Sequence, residues 1–311
     1  MKFLFLFLVV IISSCKNDKF SKENLKRQHN KSTLSMNGNV KSLSNYIYAF
    51  TEKDSSKPLF RSKTVFSFDT SGNLIEEIGF KDSIKQNSES KYKFDEFNNL
   101  VEIINNLENS RSITKYIVKS NGTILSKTTD ESLSSNQVTY TNREYDANFN
   151  LVLESRQAAN QETITKEYKY IFDDNGNLIQ INISEPRLFK NKAIAKNVFT
   201  YDNKNRELTR ISFLYDDNLT TRNINVYDSN RLTSLTSIDF KGKISKYKFE
   251  YDSIGNMTES KRFEEDGSVS GYSETYKYLY DENKNWIKRM EFDVNNKLTL
   301  VQKRKIEYYL F

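Results

Sequence analysis

Residues 172–178 read FDDNGNL, and this seven-residue phrase recurs along the chain. Copies of the same length are FDTSGNL at 68, FDEFNNL at 94, YDANFNL at 145, YDSIGNM at 251 and YDENKNW at 280. Variants are YDNKNREL at 201, taken as one residue longer, YDSNRL at 227, one residue shorter, FDVNNKL at 292, and a degenerate copy, VKSNGTI, at 118. Successive starts from 68 to 280 lie 24 to 29 residues apart. Such regular self-similarity is typical of a repeat protein.

The phrase describes a hairpin turn. An Asp carboxylate accepts hydrogen bonds from backbone N–H groups two residues on, and the Gly three residues after the Asp suits a left-handed backbone conformation. Gly or Asn fills that position in most copies, at Gly72, Gly176, Gly255, Asn98 and Asn205. Phe149 and Lys284 occupy the same position and fit it poorly. We therefore expect those two turns to be wider or strained.

Aromatic residues alternate with mostly charged residues ahead of each turn, as in Tyr247, Lys248, Phe249, Glu250 and Tyr251. A period of two is typical of a β-strand with different residues on its two faces. Less regular turns near Asn160, Lys241-Gly242 and Asp266-Gly267 return the chain to the next copy. The sequence predicts an all-β domain over 37–311, an antiparallel meander of repeated hairpins. About 18 strands would form one long curved or spiralling sheet.

The phrase and its spacing resemble the YD repeat of the RHS family, over residues 38 to 311. The start of this region, Gly38 to Ser42 followed by Tyr46, Tyr48 and Phe50, is similar to small YD-repeat lipoproteins of Bacteroidetes. The resemblance implies a long spiralling antiparallel sheet. In the large toxins of the family the sheet encloses a cargo. This chain has neither their autocleavage segment nor a C-terminal toxin domain, and it has too few repeats for such a shell, so the toxin role does not carry over.

The N-terminus has the pattern of an export signal. Lys2 precedes ten apolar residues, 3–12, which are too few to span a bilayer as a helix. The sequence Ile12-Ser13-Ser14-Cys15 resembles the lipobox of bacterial lipoproteins, which implies cleavage before Cys15 and lipidation of its sulfur. We expect a signal peptide over 1–14 and a flexible polar tether over 15–36. Lys16-Asn17-Asp18 resembles in part the signal that sends Bacteroidetes lipoproteins to the cell surface.

Candidate catalytic residues are scarce. Proton transfer or nucleophilic attack needs a positioned His, Cys, Ser or carboxylate pair. The sole His is His29, in the predicted tether, and the sole Cys is the predicted lipid acceptor. The sequence thus argues against a His-based triad and a transition-metal cluster. We expect no catalytic residue, no metal site and no cofactor.

Adjacent carboxylates occur at Asp173-Asp174, Asp216-Asp217 and Glu264-Glu265-Asp266. Two acids can hydrolyse a glycosidic bond, but each group lies at or near a predicted turn, where Asp is expected to bond the backbone. Residues 173–177, DDNGN, offer oxygens for Ca²⁺ but lack the Gly at position six and the Glu at position twelve of a calcium loop. For all of these acids, the favoured interpretation is a structural one, in which the carboxylates accept hydrogen bonds from the backbone of the turn.

The net charge of +6 comes mainly from lysines that alternate with acids along the strands, which is typical of a solvated sheet face. Export argues against nucleic acid as a partner, and attraction to lipopolysaccharide or to an anionic membrane is a minor alternative. We expect an outer-membrane, lipid-anchored, surface-exposed lipoprotein that binds a glycan or a protein without catalysis. The alternative is an envelope scaffold or an immunity-like protein with no small-molecule ligand. A tract of exposed aromatic side chains on three or more adjacent strands, rather than isolated ones, would favour binding.

Overall fold

The computed structural model describes residues 34, 36–50, 57–81, 85–119, 122–146, 150–159, 161–186, 193–215 and 217–310. The predicted signal peptide, Cys15 and His29 lie outside these ranges. Within them, no helix has the length and the apolar character needed to cross a membrane. All named elements are strands, which confirms the predicted all-β class.

Twenty strands follow one another along the chain. The first ten are β1 (Val40–Ala49), β2 (Leu59–Phe68), β3 (Leu74–Lys81), β4 (Lys85–Phe94), β5 (Leu100–Leu107), β6 (Ser110–Val118), β7 (Ile124–Ser132), β8 (Gln137–Tyr145), β9 (Leu151–Ala158) and β10 (Ile164–Phe172). The second ten are β11 (Leu178–Ser184), β12 (Ala193–Tyr201), β13 (Glu207–Leu214), β14 (Asn218–Asp228), β15 (Arg231–Asp239), β16 (Ile244–Tyr251), β17 (Met257–Phe263), β18 (Glu274–Tyr280), β19 (Trp286–Phe292) and β20 (Leu298–Tyr308). Each strand pairs antiparallel with the next, so the predicted meander is confirmed.

The sheet is closed, and the expected open or spiralling form is wrong. Strand β1 pairs with β20 from Val40↔Tyr308 to Ala49↔Leu300, so the first and last strands complete a 20-stranded barrel. Two free edges would leave rows of N–H and C=O groups without partners, and closure satisfies both rows. Register shifts next to most turns bend the strands and increase the twist that brings the two edges together.

The repeated phrase forms the predicted turn. At the copy that begins at Phe172, the Gly176 N–H donates to the Asp173 carbonyl at 3.0 Å, and the Asp173 N–H donates to the Asn177 carbonyl at 2.9 Å. The Asp173 carboxylate accepts the N–H groups of Asn175 and Asn177, at 3.0 and 2.7 Å. Gly176 has a φ of 80°, in the left-handed region. The copies of the phrase that begin between 68 and 280 lie along one edge of the barrel, here called the YD rim.

Two turns differ from expectation, at 202–206 and at 293–297, and the turn at Lys284 agrees with it. The turn at 202–206 has the ordinary length, not one residue more, because Arg206 takes the place of Asn and its Nε donates to Asp202 at 2.6 Å. Lys284 keeps the ordinary turn hydrogen bonds at a φ of 62°, so its turn is strained but not wider. The turn from Asp293 to Lys297 has the same bonding pattern but lies on the opposite rim. Phe149 lies outside the described residues.

Burial and register assign the two faces of the barrel. Leu43, Ser126, Thr128, Thr141 and Phe199 are all buried and lie on one face. We take this face as the inner one. The outer face carries exposed lysines and acids, such as Lys246, Lys248 and Glu250, which is typical of contact with water. Barrels of about 8 strands are filled by side chains, whereas barrels of about 16 to 18 leave a water-filled channel, so a 20-stranded barrel has interior space.

Apolar packing is confined to small clusters between neighbouring strands. One cluster joins Met36, Val40, Leu43, Phe68 and Leu74 at the YD rim. A second joins Leu100 and Ile124 with partly buried rings from β4, β6 and β8. Met36 is only 5% exposed, although it lies in the range predicted as tether. The chain therefore enters the folded domain at the YD rim.

Candidate binding site on the inner face

Tyrosine hydroxyl groups tie each repeat to the one before it. The Tyr201 hydroxyl donates to the Leu178 carbonyl at 2.8 Å, and Leu178 directly follows the preceding YD turn. Equivalent bonds run from Tyr227 to Glu207, from Tyr251 to Leu232 and from Tyr278 to Met257, at 2.9 Å each. These tyrosines have a structural role, because the hydroxyl satisfies a carbonyl beside the turn.

Side-chain amides continue this linkage along the YD rim. The Asn177 side chain donates to Asp173 at 2.9 Å and to Asn205 of the next repeat at 3.0 Å. The buried Asn285 amide donates to the Asn37 carbonyl and to the Tyr308 hydroxyl, and its oxygen accepts the Asn37 N–H. The tyrosine hydroxyl groups and side-chain amides named here therefore hold the rim together.

A different set of inner side chains forms the candidate site, on β18, β19, β20 and β1. Tyr278 and Trp286 meet edge to face, with ring centroids 6.3 Å apart. Arg304 lies over the Trp286 ring, with its Cζ 3.4 Å from the ring centroid. Arg289 lies over Tyr276 at 5.4 Å. Arg304 is thus in direct contact with the face of the Trp286 ring, and Arg289 lies within cation–π distance of Tyr276. We call Tyr276, Tyr278, Trp286, Arg289 and Arg304 the arginine–aromatic cluster.

Several polar atoms of this region lack a hydrogen-bond partner among the described residues. They are Nε of Arg289, Nε and Nη1 of Arg304, and Oδ1 of Asn45, all shielded from solvent. Asn45 faces Arg304 across the β1–β20 pairing, so a small rotation of its amide would satisfy one guanidinium donor. Two further donors would still lack an acceptor. Buried unpaired donors of a charged group are costly, and such atoms need a specific explanation.

The charges of the cluster are not balanced. Burial and the neighbouring Arg289 lower the pKa of Arg304 to about 9. The nearest facing acid is Glu291, whose Oε2 lies 3.6 Å from Nη2 of Arg289. Burial, and then the nearby Glu274, raise the pKa of Glu291. Glu291 thus pairs with Arg289 although its own ionisation is disfavoured, and Glu274 accepts the Tyr276 hydroxyl. Among the described residues no acid pairs with Arg304, so an added anion would stabilise that guanidinium.

Comparison with family models and with curated proteins finds no match. Among solved structures, the chain is similar to a porin-like protein from Bacteroides uniformis, with 11% identity, a TM-score of 0.35, and coverage of 88% of this chain and 98% of that chain. A porin-like protein from Bacteroides vulgatus matches with 10% identity, a TM-score of 0.30 and coverage of 86% and 98%.

A third similar structure, TcdB2-TccC3-TEV, has 10% identity, a TM-score of 0.33 and coverage of 82% of this chain but 15% of that chain. At these identities and TM-scores the comparisons carry no argument about function. The resemblance to the YD repeat rests on the recurring phrase and its spacing.

The carboxylate groups singled out in the sequence lie in turns, as expected. Hydrogen bonds from Asn177, first from its side chain, lower the pKa of Asp173. Asp217 pairs with Lys196 at 2.5 Å, and Asp266 accepts the Ser268 hydroxyl at 2.6 Å. Glu264 closes the turn that ends at Ser268. Asp216 lies outside the described residues. No acid group of these turns joins the arginine–aromatic cluster.

Sequence reasoning did not single out the arginines, although a local signal was present. Inner Arg residues directly follow outer Lys residues in three strands, as Lys261-Arg262, Lys288-Arg289 and Lys303-Arg304. Because strand side chains alternate between faces, each doublet puts one cation on each face. From the sequence alone, two adjacent cations indicate only a charged surface, because the sequence does not show which strand face is the inner one.

Proposed function

We propose that this chain is a lipid-anchored cell-envelope protein that binds its ligand, a glycan, without catalysis on the inner face of the barrel. The observation that carries the proposal is the arginine–aromatic cluster. Its rings lie on β18 and β19, and Tyr308 continues the aromatic tract onto β20 at the YD rim. These rings are partly buried, so they do not form the exposed aromatic tract expected of a binding surface, and the proposal rests on the two arginines that lie beside them.

The surroundings of the cluster suit a ligand rich in hydroxyl groups. Asn45, Gln302, Ser260 and Thr258 share the inner face with the cluster, and each has donors and acceptors that can exchange hydrogen bonds with sugar hydroxyls. Small-molecule sites typically combine aromatic walls with a few convergent polar groups. The inner face near β19 has that composition.

The anchoring part of the proposal rests on Cys15 and the apolar residues 3–12 that precede it. Two or three acyl chains hold a protein on a membrane durably, at about 0.8 kcal/mol per buried CH₂. The outer membrane, with the domain exposed on the cell surface, is the proposed location.

The anchor is tested with Cys15→Ser in cells fed labelled palmitate. We expect the variant to incorporate no label and to remain uncleaved or to become soluble, because the chain has no other Cys to accept the lipid. A Ser21→Ala variant in the predicted tether keeps the lipobox and the acceptor sulfur and serves as the control. Wild-type labelling of Cys15→Ser would contradict lipidation at this residue.

The binding role is tested on a glycan array with the detergent-purified full-length chain. Trp286 lies on the inner face of β19 and Phe292 on its outer face, where Lys277 lies 5.0 Å from the ring centroid. We expect binding to a subset of glycans that Trp286→Ala removes and Phe292→Ala retains. Absence of binding by the folded wild type, or equal loss in both variants, would favour the alternative of a structural scaffold.

The scaffold alternative also has an observation in its favour. The tyrosines at the YD rim use their hydroxyl groups to bond neighbouring repeats, as Tyr201 and Tyr251 do, so much of the aromatic content serves the fold itself. An envelope scaffold or an immunity-like protein would need no residues that bind a small-molecule ligand. The array therefore decides between the two functions.

A further inference from the structure

We infer that the arginine–aromatic cluster selects an acidic sugar, with the acid group held by Arg289 and Arg304 and the sugar hydroxyls held by neighbouring amide and hydroxyl side chains. This inference rests on the proposed binding function and names the chemical class of its ligand. The proposed ligand is an oligosaccharide that carries carboxylate or sulfate groups.

The geometry of the guanidinium groups supports an anionic ligand. Arg304 lies against the Trp286 ring at 3.4 Å, so its position is fixed before any ligand arrives, and Arg289 lies within cation–π distance of Tyr276. Guanidinium groups bind carboxylate and sulfate-like oxygens through pairs of parallel N–H donors. Fixed groups lose less conformational entropy on binding, and this favours affinity.

Among the described residues, no ion pair neutralises the positive charge of Arg304. Glu291 is the facing acid, and its contact with Arg289 is long, at 3.6 Å. Donors of both arginines have no acceptor among the described residues. The side chain of Arg289 is 30% exposed and Arg304 is partly exposed, so a ligand in the interior meets their exposed atoms first and reaches the shielded donors only after the side chains shift.

The remaining inner-face residues suit the hydroxyl groups of a sugar. Gln302 lies opposite Arg289, and Asn45 lies opposite Arg304. These amides each offer both a donor and an acceptor, which matches the dual character of a sugar hydroxyl. An acidic peptide is the competing ligand, and polyglutamate in the test below separates the two.

The protein contains its own reporter for this site. Trp286 is the only tryptophan of the chain, and the Arg304 guanidinium lies on its ring. An acid group that engages Arg304 changes the electrostatic environment of the indole, so binding should alter the intrinsic fluorescence. The probe is an oligomer of galacturonic acid, with a sulfated galactose oligomer and a neutral galactose oligomer of similar length as comparison arms.

We expect the full-length chain in detergent to change its tryptophan emission with at least one acidic oligomer and not with the neutral one. Arg289→Gln and Arg304→Gln should each weaken binding about 10-fold to 100-fold, the effect expected for losing a hydrogen bond to a charged group. Lys288→Gln and Lys303→Gln remove the same charge one residue away on the outer face, and they should change the affinity less than about twofold.

Calorimetry of the same variants, with circular dichroism to confirm folding, separates the outcomes. If Arg304→Gln does not fold, Arg304→Lys keeps the charge but not the paired donors and should still weaken binding. Equal loss in the Lys variants, equal affinity for the neutral oligomer, or equal affinity for polyglutamate would overturn the inference. Glycan binding on the array with no response to either acidic oligomer would overturn it while leaving the proposed function in place.

Discussion

Single backbone positions in the turns decide how well each repeat closes. Gly176 has a φ of 80°, and no other atom lies within 4 Å of the place that a Cβ would occupy, so only backbone conformation opposes a side chain there. Lys284 accepts a φ of 62° in the equivalent place, which a non-glycine residue adopts at a cost of order 1–3 kcal/mol. The two positions are therefore a matched pair for measuring turn strain.

We expect Lys284→Gly to raise the free energy of unfolding by about 1 kcal/mol, because the strain is relieved at some cost in backbone entropy. Gly176→Val should lower it by about 1–3 kcal/mol. Denaturant unfolding measures both. Gly271→Ala is the control, since it has open space and lies outside the left-handed region. A stabilising Gly176→Val would contradict the assigned turn geometry.

At the scale of strands, pairing strength is uneven around the barrel. Strands β17 and β18 share only the pairs Glu259↔Thr275 and Ser260↔Glu274. Side chains compensate there. The Ser273 hydroxyl accepts the Arg262 N–H at 3.0 Å and donates to the Arg262 carbonyl at 3.2 Å. Tyr278 also reaches across to the Met257 carbonyl. The contact between β17 and β18, next to the candidate site, is thus held partly by side-chain hydrogen bonds, because the backbone hydrogen bonds between these two strands are few.

The whole molecule should behave as one cooperative unit, because closure gives every strand two neighbours. Deleting residues 298–311 removes β20 and leaves both β1 and β19 with a free edge. We expect loss of hydrogen-exchange protection around the barrel, including β10 to β12 on the far wall. In an open array of repeats, stability is nearly a sum of local terms, and those strands would be unaffected.

Removal of residues 310 and 311 alone is the control for that deletion, since Leu310 is 99% exposed. It should leave the protection pattern of the described strands unchanged. Loss of protection restricted to β1, β19 and their immediate neighbours would contradict a cooperative closed barrel.

Local features of the fold followed from the sequence, because they depend on residues close together in the chain. The phrase FDDNGNL specified a turn through the hydrogen bonds of Asp173 and the left-handed backbone of Gly176, and aromatic alternation specified the strands around it. The resulting antiparallel meander needs only pairing between consecutive elements. Lipidation of Cys15 is likewise a local signal, and it stays a prediction.

Only the tertiary structure decided that the sheet closes and which residues face inward. Closure pairs Val40 with Tyr308, and no local pattern encodes a contact between such distant residues. The period of two separates two faces but does not say which one is inside, because both faces carry charged residues. Arg289 and Arg304 became a candidate site only after closure had placed them on the inner face beside Trp286, where burial leaves their donors without partners.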